Sequence, residues 1–388
     1  MHLVKRDIAP RLAKYLTLFP VVVIVGPRQS GKTTFAKMEL PDWRYFDLEK
    51  PSDHARISSD IEFFLGQYGE RCIIDEAQVM PELFPALRSH IDRARAGKGR
   101  IVLLGSVNPL LVKNISETLA GRIGFIEIHP FGYAEAKVFG KLRLEEFWLR
   151  GGYPEPLLWN AADHFAWMEQ YVKTFVERDV FGLLRTSLSP QQQIRLLTMI
   201  AHGHAGLWNA SQTASAFGVS YHTINRYIEL METFFLVNRL IPFHQNVGKR
   251  LVKSPKLYFR DTGLLHYLLN IPNIEALHTS PYRGHSFEGF VIEQLKHKYM
   301  QGLSGGASFY FYRTAQGDEI DLLVQDGKGL HAFEIKTVTS IEPGQLKGFK
   351  RSLEQLGLKK GTVVYFGGED YRLDGQIEMK AAVNLLSA

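Results

Sequence analysis

Apolar positions change rhythm along the chain. In the first third they come as short continuous runs, VVVIVG at 21–26, CIID at 72–75 and IVLLG at 101–105, each closed by glycine, serine or acidic residues. Continuous aliphatic runs of this length predict strands buried on both faces, as in a parallel sheet covered by helices. From Leu142 to Ala205 the pattern is helical and rich in tyrosine and phenylalanine, opened by the turn-forming GGYPEPL at 151–157. SQTASAFG, 211–218, then places small and apolar residues at helical spacing and stops at a glycine. Ser220 caps a second helix whose Ile224, Tyr227, Ile228 and Met231 share one face. FFLVNRLIPFH and RLVKSPKLYF read as two strands flanking Asn246, Val247 and Gly248, the outline of a wing. In the last quarter SFYFYR, DLLVQDGKGLHAFEIK and GTVVYF predict further strands, with a hairpin turning at Gly327 and Lys328.

The first apolar run leads into a glycine-punctuated loop. Gly26, Pro27, Arg28, Gln29, Ser30, Gly31, Lys32, Thr33 and Thr34 match G-x-x-x-x-G-K-[ST] between a buried strand and a helix, the context a phosphate-binding loop needs. Gly26 and Gly31 are expected to take φ values that a β-carbon forbids, so that successive N–H groups turn inward around a phosphate. The helix opening near Lys32 points its positive end at the same place. Lys32 would reach the β and γ phosphates of ATP, and Thr33 would ligate Mg²⁺.

RCIIDEAQ adds a short strand ending in two carboxylates. Ligands collect at the carboxyl ends of parallel strands, so Asp75 is expected beside Lys32 and Thr33, where it suits the outer coordination of Mg²⁺. Glu76 is placed to orient and deprotonate the attacking water. After the third run, Ser106 and Asn108 either sense the γ phosphate or form the turn before Pro109. Arg122 is either an arginine finger, offered in cis or to a neighbouring copy, or a surface arginine. Glu177, Arg178 and Asp179 follow an apolar helix face and carry either a subunit-bridging or nucleotide-sensing arginine or a plain intrahelical ion pair.

A two-residue hairpin loop at Gly327 and Lys328 puts Asp321 directly across from Glu334, and period two puts Lys336 on the face of Glu334. Two carboxylates with water and a phosphate oxygen can hold Mg²⁺, while a lysine of lowered pKa positions the attacking water. Such a site breaks phosphodiester bonds. In GHSFEGFVIEQL, Glu288 has apolar neighbours at Val291 and Ile292 and leans toward the core, whereas Glu293 looks solvated. The same residues also read as an inert ion-pair cluster.

Net charge is +6, and its distribution matters more than its size. Between Glu232 and Asp261 there is no acid, yet Arg239, Lys249, Arg250, Lys253, Lys256 and Arg260 all fall there. In a DNA reader Tyr221, His222, Asn225 and Arg226 would face the major groove, with Lys249, Arg250 and Lys253 on phosphates. In a packing module the bases would simply be solvated. The single cysteine, Cys72, excludes an intramolecular disulfide framework and reads as a core thiol. No apolar run approaches the roughly 18 residues of a membrane span, and the charged start lacks a secretion signal's apolar core, so a cytoplasmic protein without membrane contact is expected.

GPRQSGKTT, IIDEAQ, LLGSVNPLL, LAGR, GGYPEPL, the RD at Arg178 and Asp179, KSPKLYFRDTGLL and GDEID together resemble the AAA+ class of P-loop ATPases, in particular a STAND-related prokaryotic family with a C-terminal domain of unknown function. The resemblance covers nearly the whole chain. It implies an α/β protein: a P-loop core with a parallel five-stranded sheet (1–140), a helical lid (141–205), a winged helix (206–262) and a nuclease-like α/β domain (263–388). The acid–lysine arrangement resembles the PD-(D/E)xK nuclease fold, with Asp321 as the aspartate and Glu334-Ile335-Lys336 as the ExK, and the resemblance implies a further metal-binding acid from a preceding helix, here Glu288. ATP and Mg²⁺ are the expected cofactors and DNA the expected partner, with assembly into a homo-oligomer left open.

Overall fold

The computed structural model describes residues 4–93, 97–106, 119–176, 188–244, 252–301 and 306–387. The chain forms two compact units, residues 1–130 with 233–235 and residues 131–232 with 236–388.

In the first unit five strands form one sheet: β1 (Val21–Gly26), β2 (Arg44–Asp47), β3 (Cys72–Asp75), β4 (Ile101–Ser106) and β5 (Ile123–Glu127), in the order β2-β3-β4-β1-β5. Every pairing is parallel. On β1, β3 and β4 both faces are buried, which is why these three strands read as unbroken apolar runs. Val21, Val23, Ile74 and Leu103 join Phe64, Phe84 and Leu87 in one cluster, while Val22, Ile24, Ile73 and Val102 meet Leu12, Phe35 and Ala36 in another. Each such aliphatic side chain contributes about 1.5–3 kcal/mol through burial. The register aligns Gly26 with Ser106 and Asp47 with Asp75, so the carboxyl ends of β1, β2, β3 and β4 lie along one edge.

In the second unit an eight-stranded sheet runs β12-β13-β11-β10-β9-β8-β6-β7. Its strands are β6 (Val237–Pro242), β7 (Lys256–Phe259), β8 (Ser308–Arg313), β9 (Glu319–Asp326), β10 (Gly329–Lys336), β11 (Gly361–Tyr365), β12 (Tyr371–Arg372) and β13 (Ile377–Ala381). The expected hairpin is there, with Gly329 opposite Asp326 and Phe333 opposite Leu322. The strands anticipated for a wing, β6 and β7, pair antiparallel and then extend the C-terminal sheet, because Ile241 and Pro242 pair parallel with Tyr310 and Phe311. The segments expected as separate domains at 206–262 and 263–388 thus share one sheet.

Helix Ala210–Phe217 is capped by the Asn209 side chain and ends on Gly218 in the left-handed region. Helix Tyr221–Thr233 follows, with the Ser220 hydroxyl accepting from the Thr223 N–H at 3.1 Å. Two of the motifs meet around Asp261, which accepts from the Gly152 N–H at 2.7 Å and the Leu264 N–H at 2.9 Å. A Cβ on Gly151 would sit 2.3 Å from that carboxylate, so this glycine (φ +72°) is fixed by close approach as well as by φ. Among the described residues no helix is long and apolar enough to cross a membrane.

Candidate functional site

The loop after β1 is shaped as its residue types predict, with one difference. Gly31 takes φ +87° and caps helix Lys32–Glu39. Gly26 does not need a positive φ: a Cβ there would lie 2.2 Å from the Ile128 carbonyl oxygen, so close approach requires it instead. Left-handed backbone falls on Gln29 as well, at φ +63°. Buried Ser30 donates to the Pro27 carbonyl at 2.8 Å, and the buried Arg6 guanidinium donates to the carbonyls of Ser30 (3.2 Å) and His129 (2.7 Å), fixing the loop from outside.

Lys32 is buried, its ammonium donating to the carbonyls of Gly26 (3.1 Å) and Pro27 (2.8 Å). Burial pulls its pKa down to about 8, against the raising pull of Glu76 and Asp75. The Thr33 hydroxyl donates to Asp75 Oδ2 at 2.6 Å, and the Tyr45 hydroxyl donates to the same oxygen at 2.8 Å. Glu76 sits at φ +52°, an unusual conformation for a residue with a side chain, and accepts from the Gln78 amide. Burial pushes its carboxyl up, with Gln78 opposing and Asp75 adding to the rise. The Thr34 side chain is exposed and Arg28 is half-buried.

Arg122 does not belong to this cluster. It precedes β5 at the amino edge of the sheet, since Val21 pairs with Ile123, and its guanidinium grips Asp92 at 2.8 and 3.0 Å. A strand's length, about 17 Å, separates that edge from Gly26, so Arg122 cannot reach a phosphate bound in its own loop. Asn108, Glu177, Arg178, Asp179, Lys249 and Arg250 lie outside the described residues, and of Ser106 the backbone alone is described.

In the second unit Asp321 and Glu334 come together. The buried Asp321 carboxylate accepts from the Ile335 N–H at 2.8 Å, next to Glu334 on β10. Glu334 is 7% exposed; its Oε1 lies 2.7 Å from the Lys336 ammonium, and its Oε2 is buried without a hydrogen-bond partner. Burial, then the charges of Glu334 and Glu288, pushes the Asp321 carboxyl well above the usual range, and burial raises Glu334 against the pull of Lys336. Lys336 corrects the sequence reading. Burial lowers its pKa, but Glu334 and Asp321 outweigh burial and hold it above the ordinary lysine value, so it is a fixed cation rather than a softened base.

Glu288 takes the expected place beside the acids, and its Oε1 accepts from Lys256 (2.9 Å) and Tyr258 (2.7 Å). Glu293, expected in solvent, is buried, accepting from Asn238 at 3.0 Å with Arg260 and Lys296 alongside. Lys256 also lies 2.6 Å from Glu319, which pairs with Arg313 at 3.1 Å. Burial pulls Lys256 down, but Glu288, Asp321 and Glu319 overcome it and raise its pKa. The acid-free window is therefore less basic than it reads, since Arg239 pairs with Glu232, Arg260 faces Glu293 and Lys256 is internal. Tyr45, Tyr258 and Glu319 were not singled out from sequence, and Lys256 was named only as one base of the acid-free window. For Lys256 and Tyr258 a signal existed, because period two in KLYF puts them on one face.

On helix Tyr221–Thr233 the side chains of Tyr221, His222 and Arg226 are exposed and Asn225 is half-buried, while Ile224, Tyr227, Ile228, Leu230 and Met231 are covered. Lys253 is exposed.

Three family models match the chain: an AAA domain over residues 18–137, a domain of unknown function (DUF8612) over 141–275 and another (DUF4143) over 283–385. The uncharacterized proteins Rv2008c of Mycobacterium tuberculosis and Mb2031c of Mycobacterium bovis are each 36% identical over 391 residues, spanning 100% of this chain and 86% of their own length. Among solved structures, the Walker-type ATPase PABY2304 of Pyrococcus abyssi overlaps with a TM-score of 0.48 at 16% identity, over 68% of this chain and 95% of that one.

Proposed function

We propose, for a chain that belongs to the family of these two mycobacterial proteins and is an ATPase of the AAA type, that ATP turnover switches a DNA-binding second unit whose acid–lysine centre cuts phosphodiester bonds. The ATPase half is carried by one observation, the 2.6 Å contact between Thr33 and Asp75 at the carboxyl edge of the sheet. That pairing fits Mg²⁺, because a threonine hydroxyl and a carboxylate are the hard oxygen donors it takes. When bound, the ion neutralises charge on the β and γ phosphates. Lys32 releases its loop carbonyls and turns its ammonium to the γ phosphate, while the amides from Gln29 to Thr34 surround the phosphates. Glu76, with a carboxyl made more basic by burial, orients the attacking water and takes its proton. Replacing Glu76 by glutamine should leave ATP binding intact and lower kcat by about 10²–10⁴-fold. Retained turnover in that variant would remove Glu76 from the role.

For the second unit, support comes from Asp321, Glu334 and Lys336 lying together, with the orphaned Glu334 Oε2 offering an oxygen to a divalent cation. Glu288 would be the further ligand. Tyr221, His222, Asn225 and Arg226, with Lys249, Arg250 and Lys253, would hold the DNA. Purified chain with Mg²⁺ or Mn²⁺ and labelled linear, nicked or branched DNA should give cleavage that disappears in Glu334→Ala. No cleavage under any nucleotide condition, or cleavage unchanged in that variant, overturns this half. A second reading, a nucleotide-gated signalling or defence switch whose C-terminal domain binds DNA or protein without cutting, is favoured by the Lys256 ammonium among the acids.

A further inference from the structure

Lys256 reaches the acidic centre from β7, a strand far from the others in sequence, and its side chain is 4% exposed. Its ammonium lies 2.9 Å from Glu288 and 2.6 Å from Glu319, and Tyr258, two residues along the same face of β7, donates to the Glu288 oxygen that Lys256 holds. A lysine this deeply covered stays only because carboxylates compensate its lost hydration. The compensation is mutual: Glu288 is drawn to the β7 side, while Glu334 turns one oxygen to Lys336 and leaves the other without a partner. Among the described residues no three acidic, histidine or cysteine side chains converge in a way that could hold a metal ion. The oxygen donors for a hard divalent cation are therefore neighbours in the fold but are spread between tethered cations.

We infer that Lys256 is a built-in counter-ion that competes with a divalent cation for Glu288, so that the centre formed by Glu288, Asp321 and Glu334 takes Mg²⁺ or Mn²⁺ only when the Lys256 ammonium is withdrawn. This rests on the reading of the centre as a cation-dependent phosphodiester site. Exchange of one ammonium for a divalent ion adds a single positive charge to a cluster of buried acids, and it frees Glu288 to turn toward Asp321 and Glu334. A tethered ammonium has high effective concentration and is not diluted away. Its removal, more than added metal, sets occupancy.

The test uses the full-length, nucleotide-free chain with Mn²⁺ as probe, following loss of the free-ion paramagnetic resonance signal. Lys256→Gln should bind Mn²⁺ at least about tenfold more tightly than wild type, and the gain should vanish in Lys256→Gln with Glu334→Gln, which cancels any contribution of the phosphate loop. Lys256→Arg, which keeps the charge, should show no gain. If Lys256→Gln does not fold, as a melting curve would reveal, Lys256→Gln with Glu319→Gln removes the cation together with one of its acids and should show the same Glu334-dependent gain. Equal binding in wild type and the glutamine variants, or a gain that survives Glu334→Gln, overturns the inference. Cleavage of labelled DNA, read in the same samples, separates it from the parent reading. Tighter Mn²⁺ without cleavage upholds the counter-ion and overturns the nuclease, while Glu334-dependent cleavage by wild type with no Mn²⁺ gain in the variants does the reverse.

Discussion

Thr33, on the first turn of the helix that follows the phosphate loop, donates its hydroxyl to Asp75 at the end of β3, at 2.6 Å. The contact joins two neighbouring features of the sheet edge into one oxygen-rich point, and the Tyr45 hydroxyl from β2 donates to the same Asp75 oxygen. Groups that act as a unit give non-additive losses. Thr33→Val and Asp75→Asn should each lower ATP turnover by roughly 10²–10³-fold, and the double variant should be little worse than either single one. Steady-state ATPase rates of the three variants check this, and simple multiplication of the two losses would show that the residues act apart.

Lys32 gives the pH dependence. Burial brings its pKa down to about 8 in the free chain, so above that pH the ammonium that should meet the γ phosphate begins to lose its proton. Because kcat/KM reports groups of the free enzyme, it should fall above about pH 8, approaching tenfold per pH unit. Bound phosphates favour the charged form, so kcat should hold to higher pH. A kcat/KM that stays level into the ordinary lysine range would mean that Lys32 keeps its charge despite burial.

How much of this was legible in the sequence varies with the distance over which the determining forces act. The unbroken runs of β1, β3 and β4 announced a doubly covered parallel sheet, because burial on both faces leaves no room for polar alternation. The register of Asp321 against Glu334 was readable from a two-residue turn, since hairpin geometry is local. Arg122 read either as an arginine finger or as a surface arginine, because residue type alone does not say which edge of a sheet a residue meets. Lys256 was counted among the bases of the acid-free window, since its acids Glu288 and Glu319 lie 32 and 63 residues away along the numbering. Glu293 failed for the same reason. An ion pair across a fold has no periodicity to betray it.

Asp321 should be a stability liability. Its carboxyl is buried and is raised by burial, Glu334 and Glu288, so its ionised form disfavours the folded state at neutral pH. Asparagine keeps an oxygen for the Ile335 N–H and removes the charge. Asp321→Asn should therefore be more stable by roughly 1–2 kcal/mol near pH 7 while losing any cation-dependent activity. The sign follows from linkage: a carboxyl whose folded pKa is raised binds its proton more tightly in the native state, so the penalty is relieved on acidification and the gain should vanish below the ordinary aspartate pKa. Melting temperatures of both proteins against pH test it. A variant less stable at pH 7 would show that Lys256 and Lys336 more than offset the cost of that charge.

The buried histidines make the opposite demand on pH. Burial, reinforced by His266, His285 and Lys256, lowers His204 to about 3, and its Nδ1 accepts the Phe259 N–H at 3.0 Å, an acceptor that a charged imidazole cannot provide. Burial likewise lowers His164 and His266 to about 4, each with a ring nitrogen 2.8 Å from a backbone carbonyl, of Arg150 and Leu149 respectively. The unfolded chain takes up these protons from about pH 6.5 downward while the folded chain resists, so each histidine contributes stability above 6.5 that drains away toward pH 3–4. Asp261, raised to about 6 by burial, works with the opposite sign, as do Asp321 and Glu334, and the melting curve of the wild type alone mixes them. A difference curve isolates one group. The stability of wild type minus that of His204→Gln should decline on acidification below pH 6.5 with a slope approaching about 1.4 kcal/mol per pH unit. A difference that stays flat from neutrality to pH 4 would mean that His204 is protonated in the folded chain and that its bond to the Phe259 N–H does not hold.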